Sequence, residues 1–312
     1  EFDQLFGHLA IGKNPTPLRN SYFILKLDFS CVDPTGTVDQ IRQSMFNNIN
    51  VRIQGFCTYY KFKGFDLPEI EINKQDALSS LNSIANAAAA TPYPIYLLID
   101  EYDNFANTVM MGVQMLDKEF GEHGHRYQSL VHEQGPLRTF FKTVKALTTS
   151  TMFDRVFITG VSPVVMSDIT SGYNVAENIY FETEFNNLCG FTQSEVEEVI
   201  TNIVDSCGFE EKENKIREAV GLMKTYYNGY KFCYKKSDYI YNPTLSIYFF
   251  KHLQKECEYP FEMLDDNLAV DESKLEYIAR IPKGEQLLLS LMEQNQQVVI
   301  PAISKRFGIQ EM

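Results

Sequence analysis

The sequence is poor in several features that would assign a class at once. Among its 312 residues there is no tryptophan, no Cys-x-x-Cys pair and no close Cys/His cluster. The six cysteines, at 31, 57, 189, 207, 233 and 257, follow neither a zinc-ligand nor a disulfide-framework spacing. They read as free core or near-surface thiols of a reducing compartment. No apolar run approaches the roughly 18 residues of a membrane-spanning helix, and no signal-peptide core is present. No membrane association and a cytoplasmic location are therefore expected. Positive charge is scarce: 28 Lys and Arg stand against 41 Asp and Glu, a formal net charge of -13. That balance opposes broad attraction to phosphate backbones, so direct nucleic-acid binding is not expected of this segment, although it leaves room for a local basic patch. The chain also opens on Glu1-Phe2-Asp3 without a methionine, and residues upstream are expected.

What is present is core material. Apolar residues make up 44% and aromatics 13% of the chain, enough to fill two or three packed units. The most informative stretch runs from Ile95 to Asp103, where an unbroken apolar segment ends abruptly in Asp100 and Glu101. Apolar residues on both faces suit a central strand of a parallel sheet, and ligands of such sheets sit beyond the carboxyl ends of the strands. Two consecutive carboxylates there suit nucleotide chemistry of the Walker B kind. Asp100 is placed to hold Mg²⁺ through its water shell, and Glu101 to orient a water for attack on a γ-phosphate. The plain alternative is a core strand ending in a solvated acidic turn.

The flanking pattern is strand, helix, helix, strand. Residues 22–30 form a strand ending in Asp28 and Ser30. Val38, Ile41, Met45, Ile49 and Ile53 then recur at helical period, with Gly55 placed to stop that helix. Asp76 caps a second helix that ends before Pro92. Beyond the acidic strand, 104–134 reads as a long polar excursion. Its His123, His125 and His132 lack any recognised ligand spacing, and no metal site is assigned to them. Gly135-Pro136 opens another helix, leading into a strand over 155–160. Thr159 and Ser162 sit at the tip of that strand, where a sensor residue touches the γ-phosphate or the attacking water. Alone, a threonine ending a strand is unremarkable.

From Phe191 the sequence turns helical. Thr192 to Glu195 forms a capping box, Asn228-Gly229 closes the next helix, and Asn242-Pro243 opens another. The expected architecture is an α/β parallel-sheet core over 1–190, a helical lid over 191–235 and a winged-helix-like unit over 236–312. Within the aromatic stretch 226–232, Tyr227 is the candidate for stacking a base, with core packing as its other use. Near the start, Gly7 to Lys13 matches G-x-x-x-x-G-K. However, it has Asn14 where a phosphate loop needs Ser or Thr, too few residues before it for a strand, and Pro15 and Pro17 after it. It is rejected as a phosphate loop.

With these residues in view, the chain resembles the AAA-ATPase-like family. This is a group of predicted P-loop ATPases related to the STAND class, often fused to a PD-(D/E)XK nuclease-like domain. The resemblance rests on Leu27-Asp-Phe-Ser30, Ile99-Asp-Glu-Tyr-Asp-Asn-Phe105, Phe157-Ile-Thr-Gly-Val-Ser-Pro163, Thr170-Ser-Gly-Tyr-Asn174, Leu188-Cys-Gly-Phe191, Tyr227-Asn-Gly-Tyr-Lys-Phe232 and Tyr241-Asn-Pro243. It extends almost end to end. It implies a P-loop NTPase sheet with a lid and winged helix, ATP and Mg²⁺ as cofactors, and Asp100, Glu101, Thr159 and Ser162 in the hydrolytic site, with Asp100 as the magnesium partner. A protein partner, a downstream nuclease-like domain or a homo-oligomer are the associations it implies. The family's opening strand, Gly-Lys-Ser/Thr loop and helix have no counterpart here. The sequence therefore carries two functional expectations: an ATP-hydrolysing regulatory module, weak or inactive as this chain, and a non-catalytic interaction module that keeps the ATPase shape.

Overall fold

In the computed structural model the described residues are 2–115, 128–131, 134–150, 152–160, 175–179, 181–233, 235, 238–264 and 284–293. The chain divides into two compact units, one of residues 1–175 with 277–312 and one of 176–276.

The first unit is α/β. Its sheet has three strands, β1 (Phe23–Asp28), β2 (Ile95–Asp100) and β3 (Phe153–Ile158), in that spatial order. All pairings are parallel, and Asp28 lies in register with Asp100. Parallel neighbours require crossover connections. Because such crossovers are right-handed, strands laid down one after another in a single direction send every crossover helix to the same side of the sheet. The burial pattern obeys this rule. Phe23, Leu25, Leu27, Ile95, Leu97 and Ile99 are fully buried against α3 (Val38–Phe62), α4 (Ala77–Ala89) and α6 (Pro136–Thr149), while α5 (Asn104–Met115) begins what sequence reads as a polar excursion.

Local chemistry fixes these helices. In α3, Thr37 and Gln40 form a reciprocal capping box, the Gln40 side chain accepting from the Thr37 N–H at 2.7 Å. The expectation that Gly55 ends this helix is corrected: α3 passes through it to Phe62. A mid-helix glycine costs about 1 kcal/mol, whereas continuing the helix buries Phe56 and Tyr60. It also delivers the Tyr60 hydroxyl to accept from the Ile24 N–H at 2.7 Å, satisfying a donor on edge strand β1. Asp76 caps α4 by accepting from the Leu78 and Ser79 N–H groups. Helix α6 starts with Pro136 at its first turn and turns Leu137, Phe140, Phe141, Val144 and Leu147 inward. Helices α1 (Phe2–Phe6) and α2 (Ala10–Lys13) hold the rejected glycine-lysine string, with Gly12 and Lys13 in a single helical turn.

The second unit is helical. Its helices α7 (Gln193–Cys207), α8 (Lys212–Tyr227) and α9 (Pro243–Glu256) share one core through Ile200, Val204, Met223, Tyr227, Phe249 and Leu253. Two antiparallel bridges, Phe191 with Tyr241 and Tyr230 with Ile240, tie the connecting segments to it. Helices on both sides of residue 235 thus pack into the same core. The later helix α10 (Gly284–Glu293) groups with the first unit. The reading of all six cysteines as free thiols is corrected too. Cys207 at the end of α7 and Cys257, the residue after α9, form a disulfide, with Cα atoms 5.7 Å apart. Among the described residues, Cys31, Cys57, Cys189 and Cys233 form no disulfide. Among the described residues, no helix is long and apolar enough to cross a membrane.

Candidate functional site

Strand alternation decides which side chains meet at the carboxyl end of the sheet. Odd-numbered positions of β1 and β2 point into the helices, so Lys26, Asp28 and Asp100 share the opposite face. Asp100 receives two partners there. The Thr159 hydroxyl, one residue beyond β3, donates to Asp100 Oδ1 at 2.6 Å. The Lys26 ammonium lies 3.2 Å from Oδ2. The Thr159 hydrogen bond, followed by Lys26, holds the Asp100 carboxyl below its ordinary pKa, against a smaller opposing effect of burial. Its side chain remains 43% exposed, so the carboxylate is charged and open to a further ligand.

Asp28, its neighbour in register, has a different use. Its Oδ1 accepts from the Ser30 hydroxyl at 2.6 Å and the Ser30 N–H at 3.0 Å, capping the 3₁₀ turn Phe29–Cys31, while Arg52 stands 3.6 Å from Oδ2. These bonds lower its pKa, chiefly through Ser30.

Glu101 leaves the strand in the left-handed region, with φ of 49°. That is an uncommon conformation for a residue with a Cβ, and it costs of the order of 1–2 kcal/mol. Several contacts fix it. The Tyr102 N–H donates to the Thr159 carbonyl at 3.2 Å, and the Thr159 N–H donates to the Ile99 carbonyl at 2.8 Å, carrying strand pairing around the turn. Asn104 donates its N–H to the Glu101 carbonyl at 3.1 Å and its side-chain amide to Glu101 Oε2 at 2.9 Å. Asp103 is fully buried and accepts from the Asn107 amide at 2.8 Å. Gly160 closes the arrangement, since a Cβ there would strike the Tyr102 ring and the Asp103 carboxylate. The Glu101 carboxylate is thus held on Asn104, just beyond the carboxyl end of β2.

The structure therefore brings Asp100 and Thr159 into direct contact, with Glu101 adjacent in the chain. Ser162 lies outside the described residues, as do His123, His125 and His132. Tyr227 belongs to the helical unit, where it is 1% exposed. Its ring packs on Phe249 and its hydroxyl donates to the Met263 carbonyl at 2.6 Å. No ring face is left for a base, so the stacking expectation at Tyr227 is corrected in favour of core packing. Lys26 was missed by sequence reasoning. The signal was its position two residues before Asp28, on the polar face of an otherwise apolar strand.

Comparison with known families then decides the relationship. The family described as Predicted AAA-ATPase matches residues 1–170. This chain belongs to the AAA-ATPase-like family. The matched span covers the parallel sheet, Asp100, Glu101 and Thr159, whereas the motifs quoted at 188–191, 227–232 and 241–243 fall beyond it. The family match thus rests on the first unit and its carboxyl-edge residues, and it does not test the later motifs. No curated protein and no solved structure matches the chain.

The residues present can be tested against the Mg²⁺ that an AAA-ATPase-like chain implies. Among the described residues no three carboxylate, histidine or cysteine side chains gather as a metal cage. Mg²⁺ does not need one, because it keeps several waters and is held by one or two carboxylates. Asp100 fits that use: charged, partly exposed, and with lone pairs free beyond its two partners. Lys26 already places one positive charge on this carboxylate, and a hydrated cation would compete with it there. Two surface depressions of the first unit lie elsewhere. One, of about 460 Å³, is lined by Cys31, Asp33, Gln40, Ser44 and Asn48, and the other, of about 390 Å³, by Leu18, Tyr22, Ile24, Tyr96 and Arg155. Neither includes Asp100, Glu101 or Thr159.

Proposed function

We propose that the first unit is the carboxylate half of an ATP-binding and ATP-hydrolysing site that serves a regulatory module. The observation that carries this reading is the Asp100–Thr159 hydrogen bond at the carboxyl edge of a parallel sheet, beside a Glu101 held with positive φ. Asp100 would hold hydrated Mg²⁺, which when bound neutralises charge on the phosphate oxygens. Glu101 orients and deprotonates the attacking water. Thr159 reads the γ-phosphate through the hydroxyl that already donates to Asp100, with Ser162 as a second sensor candidate.

Hydrolysis also needs backbone amides and a lysine around the β- and γ-phosphates, since positioned positive charge supplies most of the barrier reduction in phosphoryl transfer. The uncovered face of the sheet supports a supplier from outside these 312 residues. Ile24 and Phe157 are 43% and 38% exposed on a kind of sheet that is ordinarily covered on both sides. A strand, Gly-Lys-Ser/Thr loop and helix preceding this segment would pack there.

The test is calorimetric titration of Mg-ATP into this chain and into one extended upstream by about 60 residues, the span of one strand-loop-helix unit with its connections. Binding by the extended chain alone, with Glu101→Gln abolishing turnover while sparing affinity, is the expected result. Should neither chain bind, the hydrolytic reading is wrong and the chain is a non-catalytic interaction module on an ATPase scaffold.

A further inference from the structure

Helix α3 buries one face on the sheet and leaves a second apolar stripe in water. Val51, Tyr59 and Phe62 are 62%, 54% and 84% exposed. With Gly55 between them they fall within about 80° of the helix surface, at 3.6 residues per turn. Gly55 has no task of its own in the single chain. A Cβ there would meet nothing within 4 Å, so alanine would fit and would favour the helix. What glycine alone allows is the close approach of another backbone.

The stripe ends in a hollow. The depression of about 460 Å³ beside the first half of α3 is lined by Asp33, Ser44, Asn47, Asn48 and Val51 among others, and Asn48 lies on the same arc of the helix. Asn48, Val51, Gly55, Tyr59 and Phe62 follow one another at steps of 3, 4, 4 and 3. That spacing reads the same from either end, as a two-fold axis through Gly55 requires of a surface that meets its own copy. An antiparallel copy would set Val51 against Tyr59 and Phe62 against Asn48. At 1.5 Å per residue, Phe62 stands about 10.5 Å beyond Gly55 along the helix, and Asn48 and Asn47 stand about 10.5 and 12 Å before it.

Charge agrees with shape. In a chain of net charge -13, residues 40–65 include no Asp or Glu, so two acidic molecules can approach along this helix. The Lys63 ammonium lies 5.6 Å from the centre of the Tyr59 ring, which puts it on the exposed stripe. The same two-fold pairing sets Lys63 against Asn47 of the other copy, on the rim that also carries the Asp33 carboxylate. Asp33 is tied to that rim by its N–H, which donates to Ser44 Oγ at 2.9 Å.

From this self-complementary spacing and charge we propose that α3 is a homodimer interface: two copies pack antiparallel about Gly55, each Phe62 seated in the other's depression and each Lys63 facing the other's Asp33. A crossing about 20° from antiparallel keeps side chains in contact this far from the axis. The exposed parts of Tyr59, Phe62 and Val51 supply roughly half of the ~800 Å² per partner of a standard interface, with the depression and its polar rim adding to it. A dissociation constant of about 1–100 μM is therefore expected.

Sedimentation equilibrium of the full chain over that concentration range is the test, with non-reducing electrophoresis to separate out any disulfide-linked pairs. A reversible monomer–dimer equilibrium is expected. Phe62→Ala should weaken it tenfold or more, by roughly the loss of a central aromatic anchor. Lys63→Glu should weaken it by about two- to fivefold. Gly55→Leu distinguishes an interface from a structural role, because it should raise the melting temperature of the chain through better helix propensity while weakening the dimer by at least about tenfold. Circular dichroism verifies that each variant folds, and since Phe62 and Gly55 are open to solvent neither substitution disturbs the core. A chain that stays monomeric to about 200 μM overturns the proposal and leaves the stripe to a helix of another protein. Dimerisation unchanged in Phe62→Ala, or strengthened in Gly55→Leu, overturns it as well. So does assembly beyond the dimer through this helix, because a two-fold pairing uses the whole stripe.

Discussion

Leu97 and Leu98 are consecutive leucines of one strand with different surroundings. Leu97 is completely buried beneath the crossover helices, while Leu98 is only partly covered on the opposite face, beside Ile24, Lys26 and Phe157. The difference arises from topology. Three parallel strands laid down in one direction place all their right-handed crossovers on one side, so the sequence can be equally apolar on both faces and yet supply cover for only one. A cover for the second face requires a strand added with the direction of winding reversed, and in open α/β sheets that reversal is where ligands bind. The exposed face and the Asp100 edge thus both follow from the one-directional winding of the described strands.

The sharpest way to break this contrast is to truncate each face in turn. Leu97→Ala should destabilise the first unit by about 2–5 kcal/mol in urea unfolding, because it empties a filled site between β2 and the helices. Ile24→Ser on the open face should change stability by no more than about 0.5 kcal/mol in this chain. Repeating Ile24→Ser in the upstream-extended chain sharpens the comparison, since a cost there approaching that of Leu97→Ala would show that the second face becomes core.

A control on a different scale comes from the helical unit. Its Cys207–Cys257 bond closes a loop with a sequence separation of 50, which corresponds to about 4 kcal/mol in the chain-entropy account. Reduction, or Cys207→Ser, should lower the melting temperature reported by near-ultraviolet signals of that unit. The difference between Leu97→Ala and Ile24→Ser should survive reduction, because neither face of the sheet depends on the bond.

Much of this arrangement is legible in the sequence because local signals and packing agree. The acidic strand tip, the capping residues Asp76, Thr192 and Asn242, and Pro136 at a helix start each act within a few residues of themselves, and each is found where it was expected. What escaped depends on distant partners. Nothing adjacent to Gly55 says that Phe56 and Tyr60 will find a core to pack against and so carry the helix past it. The pairing of Cys207 with Cys257 is decided by two helix ends meeting, which spacing along the chain does not encode. Lys26 becomes a site residue only once β1 and β2 are in register, and the shared core of α7, α8 and α9 likewise appears only in three dimensions. At the site itself, the residue types at 100, 101 and 159 were readable, but the positive φ of Glu101 was not.

That strain gives a smaller prediction of opposite sign. Glu101→Gly removes the penalty for a left-handed residue and should stabilise the first unit by about 1 kcal/mol, even though it deletes the side chain proposed to activate water. Chemical denaturation reads the gain and turnover of the extended chain reads the loss. Destabilisation by Glu101→Gly would mean instead that the Asn104–Glu101 hydrogen bond contributes more than the backbone strain costs.

The smallest effect separates the two aspartates that end β1 and β2. Both have depressed pKa values, so each contributes stability that is fully present above its unfolded-state pKa and is lost as pH falls through the lower folded-state value. Their partners differ. Thr159→Val removes the hydroxyl that is the main cause of the depression at Asp100, and its pKa should rise toward the ordinary carboxylate range in a carbon-detected NMR titration. Ser30→Ala should do the same at Asp28 and leave Asp100 nearly in place. The two carboxylates also repel each other, so Asp100→Asn should lower the Asp28 value further by removing a neighbouring negative charge. If Thr159→Val instead moved both titrations together, the strand ends would form one coupled acidic site. The division between a structural cap at Asp28 and an available ligand at Asp100 would then have to be given up.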